Sequence, residues 1–404
     1  MTQEIVRQKS RGFICVNAHP EGCRVNVEHE VNAVARNGTR KREDLRNVLV
    51  IGASTGYGLA SRITAGWGYG ARTLGVFLEK PPDRGRTATA GYYNTVAFHR
   101  LAEKDGLFAA SINGDAFSDE VKRRAAETIR TQMAPVDLVI YSLASPRRTH
   151  PRTGQLHQSV LKPIRTPYTS RTIDLDSERI TEITIEPASQ REIADTVAVM
   201  GGEDWRLWIE MLLESDLLAP NSRTIAYSYL GPELTWPIYW HGTVGAAKQD
   251  LERTANDLSA TLQERVGGDA WISVNKAIVT QASAAIPVMP LYMSILMKVM
   301  KQNHVDEGAI EQMERLFRDC VAIDGKPGLD EARRIRLDDR EMGPEVQESV
   351  KTIWPTITTE NLRKVTDFGG FKTQFRNLFG FEVASVDYNQ PTEIDLAWRD
   401  GTAR

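Results

Sequence analysis

The chain has 404 residues, of which 41% are hydrophobic and 25% charged, with a formal net charge of -3. This globular composition excludes a mainly disordered chain, a collagen-like repeat and a low-complexity protein. The near-balanced charge also argues against a general nucleic-acid binder, which carries a basic excess.

Cys15, Cys23 and Cys320 are too few and too scattered for a disulfide framework. The seven histidines form no metal-ligand spacing, so no metal is expected. Met1 to Gly12 is polar and lacks the apolar run of a signal peptide. The most apolar stretch, Ile286 to Met300, contains Pro287, Pro290 and Lys298. It is shorter than the roughly 20 apolar residues a membrane span needs. These features point to a reduced, cytoplasmic location away from the membrane.

In chain order, residues 1–46 read as a mixed leader ending in the charged run Arg36 to Arg46. Asn47 to Ile51 is an aliphatic strand, followed by the glycine turn Gly52-Ala-Ser-Thr-Gly-Tyr-Gly58 and a helix over Leu59 to Ala65. Thr73 to Leu78 is a second strand, stopped at Glu79 by Pro81-Pro82. Ala109 to Ile112 is a third, weaker strand, and Ser118 to Met133 has helical content. Val136 to Tyr141 is a fourth strand, with further strands at Thr224 to Tyr227 and Ala270 to Val274. Residues 330–404 look helical at first and end in aromatic-rich turns. Alternating strands and helices predict an α/β protein with a Rossmann-type, doubly wound parallel sheet and helices on both faces. We read one extended domain: leader 1–46, core 47–330 and C-terminal extension 331–404.

Gly52, Gly56 and Gly58 have the GxxxGxG spacing of short-chain reductases. Such a turn lets a pyrophosphate approach the backbone at a helix N-terminus. Glu79 ends the second strand 21 positions after Gly58, where a carboxylate holds the adenosine ribose diol. It would repel a 2′-phosphate, which favours NADH over NADPH. Asp115 ends the third strand, within reach of an adenine amino group. Ser142 to Ser145 end the fourth, beside the same cofactor path.

Tyr239 and Lys248 are separated by eight residues. On one continuous helix they would lie on opposite faces. They converge only if Tyr239 precedes the helix, with Thr243 as its N-cap. Gly245, Ala246 and Ala247 would then form a slim face toward the cofactor or a neighbouring helix. A lysine beside the nicotinamide ribose holds the hydroxyls and lowers the tyrosine pKa.

Several longer blocks carry a family resemblance. They are Arg11 to Val16, Val50 to Ala60, Ser111 to Glu120, Tyr141 to Pro151, Val199 to Trp205 and Val279 to Ser283. With the Tyr-x8-Lys spacing, they make the chain resemble the FabV-type trans-2-enoyl-ACP/trans-2-enoyl-CoA reductases of bacteria over essentially its whole length. The resemblance implies a Rossmann domain with a substrate-binding portion woven in, working as a monomer. It implies Tyr239 as proton donor, Lys248 as the NADH-binding lysine and Tyr229 as a substrate-contacting tyrosine. It further implies cofactor contacts from Gly52, Ala53, Ser54, Thr55, Gly56, Tyr57, Leu78, Glu79, Asp115, Ala116, Leu143, Ala144, Ala277, Ile278, Val279 and Thr280. The turn's last glycine, Gly58, belongs with these. The implied activity is NADH-dependent reduction of the 2,3 double bond of enoyl thioesters, the last step of fatty-acid elongation. The substrate is carried on CoA or on acyl carrier protein.

The chemistry needs a hydroxyl donor at the thioester oxygen, where negative charge develops. Tyr239 or Tyr229 can supply it, and the sequence leaves the choice open. Two rivals stand beside this reading. A 3-oxoacyl ketoreductase commonly places a serine about a dozen residues before the tyrosine, but position 226 is Ala226 and Ser228 is off register. A non-catalytic NADH sensor has no need of Tyr239 and Lys248. The basic run at Ser145 to Thr172 reads as a solvated loop, with a phosphate or carrier-protein contact as the alternative. Met289, Met293, Met297 and Met300 have helical spacing and suit a core helix or an acyl-chain wall equally.

Overall fold

A computed structural model describes residues 3–12 and 14–398. Phe13, in the first of the motif blocks, and residues 1–2 and 399–404 lie outside the described residues.

Seven strands form one sheet: β1 (Asn47–Ile51), β2 (Arg72–Phe77), β3 (Ala109–Asn113), β4 (Val136–Tyr141), β5 (Leu218–Ser228), β6 (Asp269–Val274) and β7 (Arg334–Arg336). Their order is β7-β6-β5-β4-β1-β2-β3, and every pairing is parallel. β1 and β4 are fully buried, the apolar reading expected of parallel strands covered on both faces. The order reverses between β1 and β4, and ligands bind beyond the carboxyl ends of the strands at such a switch point. The doubly wound parallel sheet expected from the sequence is therefore present.

Helices cover both faces. On one lie α1 (Pro20–Ala35), α2 (Gly56–Ile63) and α3 (Ala90–Lys104), with Val31, Ile63 and Phe98 buried against Val48, Val50 and Ile140. On the other lies α4 (Asp119–Gln132), capped by the Ser118 side chain. After α5 (Gln190–Met200), α6 (Glu203–Glu214) and α7 (Thr243–Val266) complete that face through Trp205, Trp208, Leu251 and Leu258.

A third core cluster lies beyond the sheet's carboxyl edge. After the short α8 (Gln281–Ala285) come α9 (Met289–Gln302) and α10 (Ala309–Leu316), the latter packing back on the α1 face. α11 (Pro344–Ile353), α12 (Leu362–Val365) and α13 (Phe368–Asn377) follow β7. Phe368, Phe371, Met293 and Leu296 pack in the same cluster as Tyr239, Ala277 and Val279.

The leader is more structured than its sequence reading. α1 occupies much of it, started by His19, whose ring nitrogen accepts the Gly22 N–H at 3.2 Å. Valines dominate its buried side, and their restricted rotamers give a weak helical signature. β7 was not anticipated either, because three residues with arginines at both ends carry no strand pattern.

Candidate active site

The turn from β1 into α2 uses its three glycines differently. Gly52 has φ +88, and a Cβ there would lie 2.5 Å from the Ser142 carbonyl oxygen. A Cβ on Gly58 would lie 1.9 Å from the Gly52 oxygen. Gly52 thus lets the turn press against the segment that follows β4, and Gly58 closes the turn on its own backbone. Gly56 has φ +53 and faces open space, with only Ile278 Cδ1 near, at 3.9 Å. Thr55 and Gly56 thus open the N-terminus of α2 onto a cavity of about 1560 Å³. A helix start of this kind favours phosphate.

Opposite Thr55 and Gly56, the cavity is lined by Lys276, Ala277, Ile278, Val279 and Thr280, the strip that follows β6. Glu79, Gly91 and Asn94 line it near α3. Glu79 Oε1 accepts the Ser54 hydroxyl at 2.7 Å, and burial raises its pKa above the ordinary carboxylate range. Asn113 clamps the Glu79 backbone with two hydrogen bonds of 2.8 Å. Asp115 accepts the Phe117 N–H at 3.0 Å, which sets the turn after β3. Below it, the buried Lys122 ammonium donates to Asp204 at 2.7 Å and to the Ala116 carbonyl at 3.0 Å.

Of the expected cofactor residues, Thr55, Gly56, Glu79 and Ala277 to Thr280 line this cavity. Gly52, Ala53, Ser54, Tyr57, Gly58, Leu78, Asp115, Ala116, Leu143, Ala144 and Lys248 lie off its wall. Leu78 is exposed beside Glu79, and Leu143 is half-buried next to exposed Ala144. Tyr57 ties α2 to the opposite wall, its hydroxyl donating to the Lys276 carbonyl at 2.7 Å.

The tyrosines come from the end of β5. Tyr229 directly follows the strand, and Tyr239 lies in the turn before α7. The geometric condition set by the sequence is therefore met: Tyr239 precedes the helix that carries Lys248. The cap expected at Thr243 is a correction. Gly242 is the N-cap, and Thr243 begins the helix. Its hydroxyl is used elsewhere, donating to the Val160 carbonyl and accepting the Lys162 N–H at 3.3 Å. Gly245 N–H donates to the Tyr239 carbonyl at 2.8 Å. A Cβ on Gly245 would lie 2.0 Å from the Trp240 oxygen and 2.5 Å from the Tyr239 oxygen. The slim start of α7 therefore admits the turn that bears Tyr239.

Tyr229 and Tyr239 meet edge to face, with centroids 5.2 Å apart at 82°. The Tyr229 hydroxyl donates to Glu341 Oε1 at 3.0 Å, and the Tyr292 hydroxyl to the same oxygen at 2.6 Å. Glu341 Oε2 accepts the Ala277 N–H at 2.7 Å. Tyr229, Tyr239 and Lys248 are off the cavity wall, but these contacts join the tyrosine pair to the Ala277 strip that lines it. Burial, reinforced by the Glu341 charge, raises the pKa values of Tyr229 and Tyr239 well above the usual phenol value. Burial pulls the Lys248 ammonium down to about 8.

A family model described as the trans-2-enoyl-CoA reductase catalytic region matches residues 86–322. The model for the NAD(P)H binding domain of trans-2-enoyl-CoA reductase matches residues 5–84. The chain belongs to the trans-2-enoyl-CoA reductase family. It is 55% identical to an enoyl-acyl-carrier-protein reductase (NADH) of Opitutus terrae, over 95% of this chain and 97% of the relative. It is 54% identical to the protein of the same name from Saccharophagus degradans, over 97% and 99%. Among solved structures, trans-2-enoyl-CoA reductase of Clostridium acetobutulicum in complex with NADH superposes with TM-score 0.93 at 40% identity, covering 97% of this chain and 98% of that one. The Treponema denticola enzyme in complex with NAD gives 0.91 at 43% identity, covering 99% and 100%.

A third model, described as an enoyl reductase FAD binding domain, matches residues 329–392. In this trans-2-enoyl-CoA reductase family member a single glycine, Gly343, stands between strand and helix there, as the N-cap of α11, and no glycine-rich turn forms. Phe368, Phe371 and Phe375 fill the core, and only Gln374, Asn377, Leu378 and Phe379 reach the cavity wall. These residues do not make a flavin site.

Sequence reading missed Glu341, Tyr292 and Lys276. Glu341 sits in the charged run Asp338-Asp-Arg-Glu341, which looks like surface, yet it is 0% exposed. The basic run is partly structural: Arg148 is buried against Glu203, and Lys162 pairs with Glu192, whereas Arg147, Arg152 and Arg165 are exposed. All four methionines of α9 are buried, and Met293 and Met297 also line the cavity.

Proposed function

We propose that this protein reduces the 2,3 double bond of trans-2-enoyl thioesters, carried on acyl carrier protein or CoA, with NADH. The observation that carries the reading is the contact chain from the Thr55–Gly56 cavity through Ala277 and Glu341 to the edge-to-face pair of Tyr229 and Tyr239. It sets a dinucleotide-sized cavity beside a hydroxyl suited to an oxyanion. When bound, NADH supplies the hydride for the β-carbon. Thr55, Gly56 and the start of α2 hold the pyrophosphate, and Glu79 holds the adenosine ribose. The strip Ala277 to Thr280 borders the nicotinamide end.

Tyr239 stabilises the charge that develops on the thioester oxygen and supplies the proton. Its buried hydroxyl remains protonated at neutral pH and so remains a donor. An effective donor sits about 2.7–3.1 Å from that oxygen, and losing one costs about 10²- to 10³-fold in rate. Lys248 is mostly cationic at neutral pH and holds the ribose hydroxyls. Ala226 is buried in β5, so no hydroxyl stands where a ketoreductase needs its serine. Among the described residues no helix is long and apolar enough to cross a membrane. In keeping with the family, we read the protein as a cytoplasmic monomer, for which light scattering should give one chain's mass.

NADH oxidation with crotonyl-CoA and with acetoacetyl-CoA, in wild type and Tyr239→Phe, tests the reading. Turnover on crotonyl-CoA, reduced about 10²- to 10³-fold in kcat by the substitution, is expected. Turnover on acetoacetyl-CoA alone would move the chemistry to the carbonyl and overturn it.

A further inference from the structure

Glu341 is a carboxylate with no exposure, at the centre of the site and on a segment remote in sequence from both tyrosines. Three donors converge on it: the Tyr229 hydroxyl at 3.0 Å, the Tyr292 hydroxyl at 2.6 Å and the Ala277 N–H at 2.7 Å. Its own backbone carbonyl is fixed by Gln347 Nε2 at 2.6 Å. Burial raises the Glu341 pKa above the ordinary carboxylate value, and the Tyr292, Ala277 and Tyr229 hydrogen bonds and the nearby Lys276 oppose that shift; the Lys276 ammonium donates to the Ala277 carbonyl at 3.0 Å. A carboxylate that accepts three hydrogen bonds in this way is acting as an anion.

A phenol has one proton to donate. In Tyr229 that proton lies on Glu341, so Tyr229 offers the site lone pairs rather than a donor. The Tyr239 hydroxyl has no hydrogen-bond partner among the described residues, and its ring rests on Tyr229. The two tyrosines are therefore chemically unequal, although each is a buried phenol at the same site.

We propose that Glu341 is a positioning residue that assigns the roles of the two tyrosines. By holding the Tyr229 proton it leaves Tyr239 as the donor to the thioester oxygen, with Tyr229 as an acceptor that orients substrate. Through Ala277 the same carboxylate fixes the strip beside the nicotinamide end, so one group sets both the proton donor and the cofactor wall. This rests on the enoyl reductase reading above.

The decisive variant is Glu341→Gln, which keeps the volume. If the amide oxygen takes the Ala277 N–H, the amide NH₂ faces Tyr229 and Tyr292 and donates to their oxygens. The Tyr229 proton is then released toward the site. Glu341→Gln alone is expected to lower kcat, by up to about 10²-fold if the tyrosine pair shifts by about 1 Å. The sharper expectation lies in combination with Tyr239→Phe. The double variant should turn over crotonyl-CoA at least about tenfold faster than Tyr239→Phe alone, because Tyr229 becomes the substitute donor. A carboxylate that merely holds the fold predicts the opposite sign. A double variant that binds NADH, followed by nicotinamide fluorescence, but is no faster than Tyr239→Phe overturns the proposal.

Tyr229→Phe covers the case in which Glu341→Gln fails to fold. It should raise KM more than it lowers kcat, and lower kcat less than Tyr239→Phe does. A loss in kcat equal to or larger than that of Tyr239→Phe overturns the role assignment. If wild type itself does not oxidise NADH with crotonyl-CoA, the enoyl reductase reading fails first, and this proposal with it.

Discussion

Lys248 shows how a single residue's surroundings set its working range. Burial disfavours its charged form and brings the pKa down to about 8, while the nearby Glu252 opposes the shift. Below that pH the side chain is a cation able to hold ribose hydroxyls, and above it the side chain is a neutral amine that holds them less well. The free enzyme's kcat/KM for NADH should therefore fall as pH rises through about 8. Lys248→Arg should remove that alkaline limb, because a guanidinium stays charged to above about pH 12, even if its plateau is lower. Initial rates at limiting NADH between pH 6.5 and 9.5 check this. An unchanged limb in the arginine variant would assign the ionisation to another group.

At the scale of the element, the start of α7 decides where Tyr239 stands. Gly245 donates to the Tyr239 carbonyl and lies so close to the preceding turn that a Cβ would meet backbone oxygens of Trp240 and Tyr239. Backbone cannot swing aside as a flexible side-chain tip can. Gly245→Ala should thus displace the tyrosine turn, costing about 1–3 kcal/mol in stability and about 10²-fold in kcat for a shift near 1 Å. Thermal unfolding and kcat measured together check this. A variant with a lowered melting temperature but full kcat would show that the turn tolerates the shift. The sequence made the β1–α2 turn, the order of the strand ends and the place of Tyr239 before the helix legible, because glycines, aliphatic runs and fixed spacings are local signals. It misplaced the cap, since the Thr243 hydroxyl is drawn to Val160, a partner 83 positions away. It passed over Glu341 for the same reason: Asp338 to Glu341 reads as surface until Tyr229, Tyr292 and Ala277 close over it.

Across the whole molecule, the last part of the chain completes both the sheet and the site. β7 pairs with β6, placing Ile335 in the core of the α1 face. Glu341 follows it into the tyrosine pair. Phe368, Phe371 and Ile394 are fully buried in the cluster that contains Tyr239, Ala277 and Val279. Two short segments far apart in sequence also pair, Gln3 and Glu4 with Glu393 and Thr392, while Tyr93 on α3 donates to the Ile394 carbonyl at 2.9 Å. A segment joined to the rest in this way is not a detachable module. A chain ending at residue 330 would expose the edge of β6 and open the cluster behind the cofactor strip. Truncating one large buried aromatic costs about 3–5 kcal/mol, against a total stability of about 5–15 kcal/mol. Removing several at once should abolish the cooperative thermal transition, together with NADH binding. A truncated chain that still melts cooperatively and binds NADH would show instead that residues up to 330 fold on their own, and that the extension serves the tyrosine pair alone.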